Sequence, residues 1–579
     1  RTLPAVETLG CTSVICSDKT GTLTRDEMTV RKLWAAGELY DITGVGYEPV
    51  GKLEFGGRPA LITPAVSAML SGMALANDAV LKQDEQGIWV LQGDPTEGAL
   101  LVAALKVGLN RSDLDTRFPR IGEIPFESES RCMTTLHAGP SGQQSALTKG
   151  ALEVVLGQCN RWLAPEGERA LDNTVRQRIL NEASDLAEQA LRVLAVAKRE
   201  QADINSARRD LCFLGMVGMI DPPRPESKAA IAQCEQAGIK VIMITGDHPL
   251  TATAVGRELG ILGQGRVVTG VELDAMNDDQ LAAAVKEIEI FARVSPDHKL
   301  RVVSALQSMG LVVAMTGDGV NDAPALRQAD IGVAMGVSGT DVSREAAAMV
   351  LTDDNFASIV AAVEEGRGIY SNIKKYLMYL LSSNAGEIGL MAGAMLVGLP
   401  APLSAVQILY VNLATDGLPA LALAVDPVDD DIMQQKPRDP GLGIFTRSVV
   451  FLMLLGGVWS TVINLGLFVW AYRYDARALP ESMTLVFGCL VITEFFKAYC
   501  FRSETRSTLV SPFRNRWLNA SILGELALLL VIVHVPWLEK LFGVVALAPS
   551  DWLRIIILAT SIIPVLEIGK WWIRRERMG

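Results

Sequence analysis

The sequence predicts an α/β protein with a doubly wound parallel sheet, an inserted α+β domain and an all-α membrane-spanning bundle after them. Three observations support this prediction. The apolar, β-branched run at 13–16 leads into an Asp and a turn, as a buried parallel strand does at the edge of an open sheet. Apolar strands and helical patterns alternate again from Met216 onward. After about Gly366 the chain carries long apolar stretches, each near the roughly 20 residues that a spanning helix needs.

These changes of pattern divide the chain into four predicted segments. Residues 1–27 supply the first strand of the parallel sheet and its loop, and 28–215 form the inserted domain of short mixed strands and helices. Residues 216–365 complete the parallel sheet, with a helix near 226–237 and strands at 240–244 and 311–315. The remainder, 366–579, is the membrane domain. Its six expected spans lie near 377–398, 404–425, 447–471, 482–501, 517–537 and 552–570.

Composition narrows the class of protein. The 579 residues are 49% hydrophobic and 20% charged, which is too apolar for a purely soluble protein and too charged for a purely membrane one. The net charge of -12 argues against a nucleic-acid partner. Eight cysteines without a Cys-x-x-Cys pair indicate scattered, reduced thiols. Lys and Arg cluster between alternate spans, so we expect the α/β domains on the cytoplasmic side, and the Ala-rich, Lys-poor composition favours a bacterial plasma membrane.

The run Asp18-Lys19-Thr20-Gly21-Thr22-Leu23-Thr24 follows the first predicted strand. A carboxylate at this position can attack a phosphoryl group and become an aspartyl phosphate. The Thr and Gly residues after it offer hydroxyls and backbone N–H groups to a phosphate. A bare Asp-Lys dipeptide would be read as an ordinary strand-to-loop acid, but the complete run is far more specific.

Two further strand ends carry residues that can bind a phosphate or a metal ion. Thr245-Gly246-Asp247 follows one apolar strand, and a run from Thr316 to Asp322 follows another. Asp318 and Asp322 suit Mg²⁺, which prefers one or two carboxylates together with phosphate oxygens. Lys299 is a candidate cation for the negative charge on a transferred group. Each of these motifs alone is weak evidence for a phosphoryl-transfer site, whereas the ordered set at the ends of strands of one sheet is strong evidence for one.

This ordered set resembles the P-type ATPases, specifically the calcium pumps of the sarcoplasmic/endoplasmic-reticulum type, from the phosphorylation motif to the carboxyl terminus. The resemblance implies a haloacid-dehalogenase-like phosphorylation domain in which Asp18 is the nucleophile. Thr20 would give a backbone carbonyl to Mg²⁺ and a hydroxyl to the phosphate, and it stands where related phosphatases carry a second Asp, which favours a long-lived phosphoenzyme. The implied phosphorylation-site residues are Asp18, Lys19, Thr20, Thr245, Gly246, Asp247, Lys299, Asn321 and Asp322, with Asp18, Thr20 and Asp318 holding Mg²⁺.

The same resemblance implies that the inserted domain binds the nucleotide. The chain contains no Gly-x-x-x-x-Gly-Lys-Ser/Thr loop, so a phosphate-binding loop of that type is not expected. Lys149-Gly150-Ala151 matches the adenine-pocket lysine motif of the family. Phe126 would stack on the base, while Lys149 and Arg192 would supply charge. From spacing alone these would be a routine core aromatic and surface cations. The implied ATP contacts are Glu97, Phe126, Arg131, Met133, Lys149, Gly150, Arg192 and Arg293.

The predicted spans contain ionisable groups, which are costly in a membrane and usually functional. The first span carries Asn384 and Glu387, the second carries Asn412, Thr415 and Asp416, and the fourth carries Glu494. Such oxygen ligands suit Ca²⁺, although the Asn and Thr residues also fit interhelical hydrogen bonding. Gly417-Leu418-Pro419 is expected to break the second span and free backbone carbonyls. Because it has Asn384, Glu387 and Glu494, this chain resembles the calcium pumps that carry two ions.

The resemblance implies an ATP-driven Ca²⁺ pump whose partners are ATP, Ca²⁺ and the lipid bilayer. The chain opens at Arg1 without a Met, so we expect a missing amino-terminal part of the same pump, with the actuator domain and four more spans. Three alternatives stay open at this point. They are a membrane-anchored phosphatase of the same sheet fold, a pump for Mn²⁺, Na⁺/K⁺ or H⁺, and a non-enzymatic regulatory fragment.

Overall fold

The computed structural model describes residues 8–578 apart from 86, 88, 128 and 141. The described chain divides into two compact units. The first covers Ser13–Val360, and the second comprises residues 8–12 and 361–578. All eight cysteines lie buried as free thiols in these units, as their scattered positions predict.

The first unit contains a parallel sheet of seven strands, with Val14–Asp18 between Lys240–Thr245 and Val313–Gly317. Its strands are near-continuous apolar runs because both faces of the sheet are buried. In spatial order the strands are Arg266–Thr269, Ile288–Ala292, Lys240–Thr245, Val14–Asp18, Val313–Gly317, Ile331–Met335 and Met349–Leu351. The α-helices along this part of the chain are Pro225–Gln236, Pro249–Leu259, Gly270–Asp274, Asp278–Ala284, Pro296–Ser308, Ala323–Gln328 and Asp341–Ala346.

Two of the predicted elements can be compared directly with this sheet. The helix Pro225–Gln236 matches the predicted 226–237 within one residue. The strand expected at 311–315 instead runs over Val313–Gly317. The carbonyl of Val312 accepts hydrogen bonds from both Ser13 and Val14, which are distant in the chain, before the regular pairing begins.

The insertion forms a second, mainly antiparallel sheet of eleven strands. It begins with Thr29–Ala35 and closes with Leu211–Ile220, and these two strands pair with each other, so the chain leaves and re-enters the parallel sheet at adjacent points. The predicted boundary at Gly215 therefore falls inside the closing strand. The other strands of this sheet are Glu38–Ile42, Leu53–Phe55, Arg58–Pro59, Arg120–Glu127, Cys132–Ala138, Gln144–Gly150, Cys159–Ala164, Gly167–Ala170 and Arg192–Glu200.

Helices pack against this antiparallel sheet, and one small hairpin lies beside it. The apolar face of Pro64–Leu75 enters the core through Met69, Leu70 and Met73. The hairpin is formed by Val80–Gln83 and Trp89–Gln92. The helices are Pro64–Leu75, Pro95–Lys106, Arg111–Arg117, Leu152–Gly157 and Asn173–Glu188.

The second unit is helical. Among the described residues, five helices are long and apolar enough to cross a membrane. Leu479–Cys500 is the most enclosed of them, with 83% of its 18-residue apolar stretch buried. The 41-residue helix Phe356–Leu396 carries the predicted first span but is not among these five, so the six-span count stays a prediction. The five candidate spans are Ala405–Ala424, Arg447–Tyr474, Leu479–Cys500, Arg516–His534 and Pro549–Arg575.

The expected break at Gly417-Leu418-Pro419 is wrong. The helix continues through Gly417–Ala424, and one turn earlier it widens over Val411–Thr415, where the Asp416 N–H donates to the carbonyl of Val411 at 2.8 Å. Pro419 has no N–H to offer the carbonyl of Thr415. That freed carbonyl instead accepts a hydrogen bond from the Tyr379 hydroxyl at 2.9 Å.

Asp354 supports the loop after the strand Ile331–Met335, and its removal tests this part of the fold. Its carboxylate accepts the N–H groups of Gly336 at 2.7 Å, Val337 at 3.0 Å and Ser338 at 2.7 Å. Burial raises the pKa of Asp354, but the three donors outweigh burial and hold the pKa below its usual range. The stabilisation is therefore present above the pKa of an ordinary Asp and is lost as the pH falls through the lowered value.

We expect Asp354→Ala to destabilise this loop by about 2–3 kcal/mol at pH 7, because three backbone donors lose a charged acceptor. Hydrogen exchange of peptides covering 336–338 in the full-length protein measures the effect. Asp279→Ala, the same substitution at an exposed helix end, is the control. Unchanged exchange in Asp354→Ala would contradict this account of the loop.

Candidate functional site

The nucleophile predicted from the sequence lies at the carboxyl end of the central strand. The backbone N–H of Asp18 donates to the Thr316 hydroxyl at 3.0 Å, which ties two neighbouring strand ends together. The buried ammonium of Lys299 donates to Asp18 Oδ2 at 2.5 Å and to Asp322 Oδ1 at 2.7 Å. One cation thus joins carboxylates from two strand ends.

Two backbone N–H groups also hold the Asp322 carboxylate in place. Its Oδ2 accepts the N–H groups of Asp318 at 3.2 Å and Gly319 at 3.0 Å. A Cβ on Gly317 would lie 2.5 Å from the Cβ of Asp322, so this close approach requires glycine. One carboxylate oxygen each from Asp18, Asp318 and Asp322 lies within 4.8 Å of the others. These hard oxygen donors fit a divalent cation such as Mg²⁺.

The three acids and one cation shift one another's ionisation. Burial raises the pKa of Asp18, and Lys299 opposes part of that rise. Burial and the charges of Asp18 and Asp322 raise the pKa of Asp318 to about 6. Burial disfavours the Lys299 ammonium, but the two carboxylates outweigh burial and raise its pKa. Lys299 is therefore a charged ammonium at neutral pH, and an added cation would relieve the remaining repulsion.

The loop after Asp18 turns sharply at Gly21, whose φ of +72° favours glycine. Arg224 holds this turn by donating to the carbonyls of Gly21 at 3.4 Å and Thr24 at 3.2 Å. The half-buried Thr20 lies within the turn. Lys19 pairs elsewhere, because its Nζ lies 2.5 Å from Asp247 Oδ2 and so ties this loop to the next strand end.

The other predicted phosphate-side residues surround this edge of the sheet. Thr245 is buried, and its hydroxyl accepts the N–H of Asp247 at 3.1 Å. Gly246 faces open space, and Asn321 is exposed in the turn before Asp322. Arg293, which the sequence groups with the nucleotide contacts, is exposed here and donates its N–H to the Asp247 carbonyl at 3.0 Å. It therefore belongs to the parallel sheet and not to the inserted sheet.

A second cluster lies in the inserted sheet, at the start of the helix Pro95–Lys106. Lys149 Nζ donates to Glu97 Oε1 at 2.8 Å, and Glu97 Oε2 accepts the N–H groups of Asp78 and Ala79. Arg192 donates to the Thr96 hydroxyl at 3.2 Å. Burial lowers the pKa of Lys149, and the charge of Glu97 opposes this change. The structure thus brings Glu97, Lys149 and Arg192 together.

The remaining predicted nucleotide residues lie on the adjacent strands. Met133 pairs directly with Lys149, and a Cβ on Gly150 would lie 2.4 Å from the carbonyl oxygen of Arg131. Phe126 belongs to the edge strand Arg120–Glu127 and is 61% exposed. An aromatic ring this exposed has a face open to a stacking ligand.

Three of the predicted membrane residues contact one face of the helix Phe356–Leu396, on which Tyr379 and Ser383, not predicted as ligands, recur with Glu387 at four-residue spacing. The Tyr379 hydroxyl lies 3.4 Å from Asp416 Oδ1, the Ser383 hydroxyl donates to Glu494 Oε2, and Asn412 donates to Glu387 Oε2 at 2.9 Å. Asn412 is exposed, and Asn384 is half-buried on the same helix as Glu387. Residues from three helices therefore form one cluster.

Several oxygens of this cluster are buried without a hydrogen-bond donor in the part of the chain that the structure describes. They are Glu387 Oε1, Thr415 Oγ1, Asp416 Oδ2 and Glu494 Oε1, the last of which lies beside a buried ammonium without a hydrogen bond to it. Leaving such groups unpaired is costly unless a ligand satisfies them. Carboxylate and hydroxyl oxygens that converge in this way fit a hard cation.

Two buried charged residues of the second unit, Lys497 and Glu525, are not among those predicted from the sequence. Lys497 Nζ lies 2.7 Å from Glu494 Oε1, and both side chains are fully buried. The signal was present, since a Lys three residues after a Glu within an apolar span is unusual. Glu525, on the helix Arg516–His534, is also buried, and neither of its oxygens has a hydrogen-bond partner among the described residues.

Comparisons with known proteins agree with this architecture. One family model, cytoplasmic domain N of P-type ATPases, matches residues 65–226, and another, the C-terminus of cation-transporting ATPases, matches 400–572. The chain is 42% identical over 587 residues to a calcium-transporting ATPase of Bacillus subtilis, a match that covers 100% of this chain and 65% of that protein.

Two further relatives give the same result. The chain is 41% identical to calcium-transporting ATPase 1 of Bacillus cereus, over 98% of this chain and 64% of that protein. It is 39% identical to the human calcium-transporting ATPase type 2C member 1, over 98% of this chain and 61% of that protein. The chain therefore spans less than two thirds of the length of these relatives.

The fold defines a membrane protein that joins a mixed α/β unit to a unit of long apolar helices with buried carboxylates. The relatives match over 98% to 100% of the chain, and the two family models match 65–226 and 400–572, which makes the assignment specific. The chain belongs to the P-type ATPase family.

Removing Lys299 tests the geometry of the acidic cluster. We expect Lys299→Met to destabilise this edge of the sheet by about 3–5 kcal/mol, because two buried carboxylates lose their shared cation. Adding Asp322→Asn should recover part of this loss, since one of the unpaired charges is removed. Hydrogen exchange across 313–322 measures both variants, with the exposed Lys286→Met as the control. Strictly additive effects would contradict the shared ion pair.

Proposed function

We propose that this chain is the catalytic and carboxyl-terminal membrane portion of an ATP-driven Ca²⁺ pump that works through an aspartyl phosphate. The observation that carries the proposal is the Lys299 ammonium held between Asp18 and Asp322 at the ends of parallel strands. The names of the relatives, which are calcium-transporting ATPases in two Bacillus species and in human, support Ca²⁺ as the cargo.

The domain assignment is part of this proposal. Residues 1–27 and 216–365 would form a haloacid-dehalogenase-like phosphorylation domain, and 28–215 a nucleotide-binding domain. The match of cytoplasmic domain N to 65–226 supports the second of these. Residues 366–579 would form a bundle of six spans, the first of them within the helix Phe356–Leu396.

In the proposed reaction, a carboxylate oxygen of Asp18 attacks the γ-phosphorus of ATP in line. An oxygen–phosphorus bond to Asp18 forms, the bond to the bridging oxygen breaks, and ADP leaves. Lys299 would stabilise the negative charge on the transferred group, and Thr245 and Gly246 would hold its oxygens. Asp322 accepts the N–H of Asp318 and so supports the turn that carries it, and Asn321 is proposed to assist.

Mg²⁺, when bound, would neutralise part of the phosphate charge. Asp18, Asp318 and the backbone carbonyl of Thr20 are the groups proposed to hold it. The carboxylates of Asp18 and Asp318, together with that of Asp322, lie within 4.8 Å of one another. Their mutual repulsion supports a cation at this point.

For the nucleotide, we propose that the exposed ring of Phe126 stacks on the base. The cluster of Glu97, Lys149 and Arg192 would supply the polar contacts on the inserted sheet. Arg131, Met133 and Gly150 would shape the pocket beside Lys149. Arg293 lies on the parallel sheet, so its proposed contact is with the phosphate end of ATP.

For the cation, we propose ligands from Asn384, Glu387, Asn412, Thr415 and Asp416. The unpaired oxygens of Glu387, Thr415 and Asp416 support this assignment. Glu494, the sixth predicted ligand, is paired with Lys497, so its part in binding depends on that pair. The distribution of Lys and Arg supports α/β domains on the cytoplasmic side, and the Ala-rich, Lys-poor composition favours a bacterial plasma membrane. An amino-terminal part of the same pump would complete the transport cycle.

Phosphorylation of Asp18 is the first test. In the full-length protein, acid-stable label from γ-labelled ATP should appear in the wild type and fall to background in Asp18→Asn, because the nucleophile is gone. Asp26→Asn, an exposed acid in the same loop, should keep the label. Persistent labelling of Asp18→Asn would refute the assignment, and prompt phosphate-ester hydrolysis indifferent to Ca²⁺ would favour the membrane-anchored phosphatase.

The cargo is tested by which ion stimulates phosphorylation at micromolar concentration. We expect Ca²⁺ to do so, and we expect Glu387→Gln to weaken this response by more than about tenfold, since a buried charged ligand is lost. Glu481→Gln, at the exposed start of the span Leu479–Cys500, is the matched control. Stimulation by Mn²⁺, Na⁺, K⁺ or H⁺ but not Ca²⁺ would reassign the cargo.

A further inference from the structure

The carboxylate of Asp354 holds the start of the segment 336–343, at one edge of the parallel sheet. Asp354 is 5% exposed, and both of its oxygens are used. Oδ1 accepts the N–H groups of Gly336 and Val337, and Oδ2 accepts that of Ser338. The φ of Asp354 is +49°, in the left-handed region that Asp adopts more readily than most residues. A buried acid in this conformation with three backbone donors is a specialised feature of the loop.

The end of the same segment reaches the turn that carries Asp318. The N–H of Thr340 and the hydroxyl of Ser343 donate to the Asp318 carbonyl at 2.8 and 2.9 Å. On the other side of this residue, the N–H of Asp318 donates to Asp322 Oδ2 at 3.2 Å. The backbone of Asp318 is therefore held from both sides, and one of the two holds belongs to the segment that Asp354 supports.

This segment is packed too closely for its two ends to move independently. A Cβ on Gly336 would lie 2.3 Å from the carbonyl oxygen of Leu351. A Cβ on Gly339 would lie 2.1 Å from the carbonyl oxygen of Met335. Closely packed groups transmit a displacement to their neighbours. A shift at the start of the segment therefore carries the two donors at its end with it.

We propose that Asp354 is a positioning residue for the divalent cation at the phosphorylation site. It fixes the segment 336–343, and that segment fixes the backbone of Asp318. One carboxylate oxygen of Asp318 lies within 4.8 Å of one each from Asp18 and Asp322, so the cation site depends on where that backbone is held. The inference rests on the proposed function, in which Asp318 holds Mg²⁺, and deepens it by naming a residue that acts on the ion only through another.

Two variants separate the carboxylate of Asp354 from its backbone. Asp354→Gly removes both acceptor oxygens and tolerates the positive φ, whereas Asp354→Asn keeps one of the two oxygens. At saturating ATP, the free Mg²⁺ concentration for half-maximal phosphorylation of the full-length protein should rise about tenfold in Asp354→Gly and less in Asp354→Asn. The matched control is Asp353→Asn, an adjacent exposed acid whose carboxylate bonds Asn355 and Ser358 in its own turn.

Hydrogen exchange gives a readout that does not depend on turnover. Without ATP, titration of the full-length wild type with Mg²⁺ should slow exchange in peptides covering 316–322 and 336–343 with one shared midpoint. That midpoint should rise about tenfold in Asp354→Gly. The binding of ATP measured without Mg²⁺ should stay within about twofold of the wild type, because the predicted base contacts lie on the inserted sheet.

The outcomes distinguish positioning from a general loss of stability. A wild-type Mg²⁺ midpoint in Asp354→Gly overturns the proposal, even if the maximal amount of phosphorylated protein falls, because that result describes only a loss of folded protein. If Asp354→Gly does not fold, the wild-type titration decides, since protection of 316–322 without 336–343 also overturns the proposal. A wild type that takes no acid-stable label from ATP would instead refute the proposed function.

Discussion

Buried carboxylates need a cation, and the ammonium of Lys299 meets this need at the edge of the parallel sheet. It joins Asp18, 281 residues away in the chain, to Asp322. Because the carboxyl ends of parallel strands meet at one edge, residues from distant segments reach one point there. The insertion does not disturb this arrangement, since its first and last strands, Thr29–Ala35 and Leu211–Ile220, pair side by side.

The same constraint separates the acids of the helical unit into two kinds. Glu494 Oε1 lies 2.7 Å from the Lys497 ammonium, an ion pair without a hydrogen bond, and its other oxygen accepts a hydrogen bond from the Ser383 hydroxyl. Glu387 and Asp416 have partners on one oxygen and none among the described residues on the other. A buried acid that is already paired holds structure together, whereas one that is half paired has capacity for a ligand. The cluster therefore combines an internal ion pair with an open set of oxygens.

Much of this arrangement could be predicted from short stretches of sequence. The helix Pro225–Gln236 and the strand Lys240–Thr245 follow from apolar periodicity, and Asp18 follows from a specific motif. The start of the strand at Val313 and the widened turn before Asp416 could not be predicted in this way. At the first point the distant Ser13 donates to the carbonyl of Val312, and beside the second the distant Tyr379 hydroxyl donates to the carbonyl of Thr415.

The amino-acid sequence by itself determined which residues end strands, which stretches are apolar enough to span a membrane, and which acids lie within them. These properties depend on neighbours a few residues apart, through side-chain periodicity and turn chemistry. Only the tertiary structure decided which acid pairs with which cation. Lys497 is an ordinary helical neighbour of Glu494 in the sequence, and its importance emerges only when packing removes water from both side chains and leaves each as the other's partner.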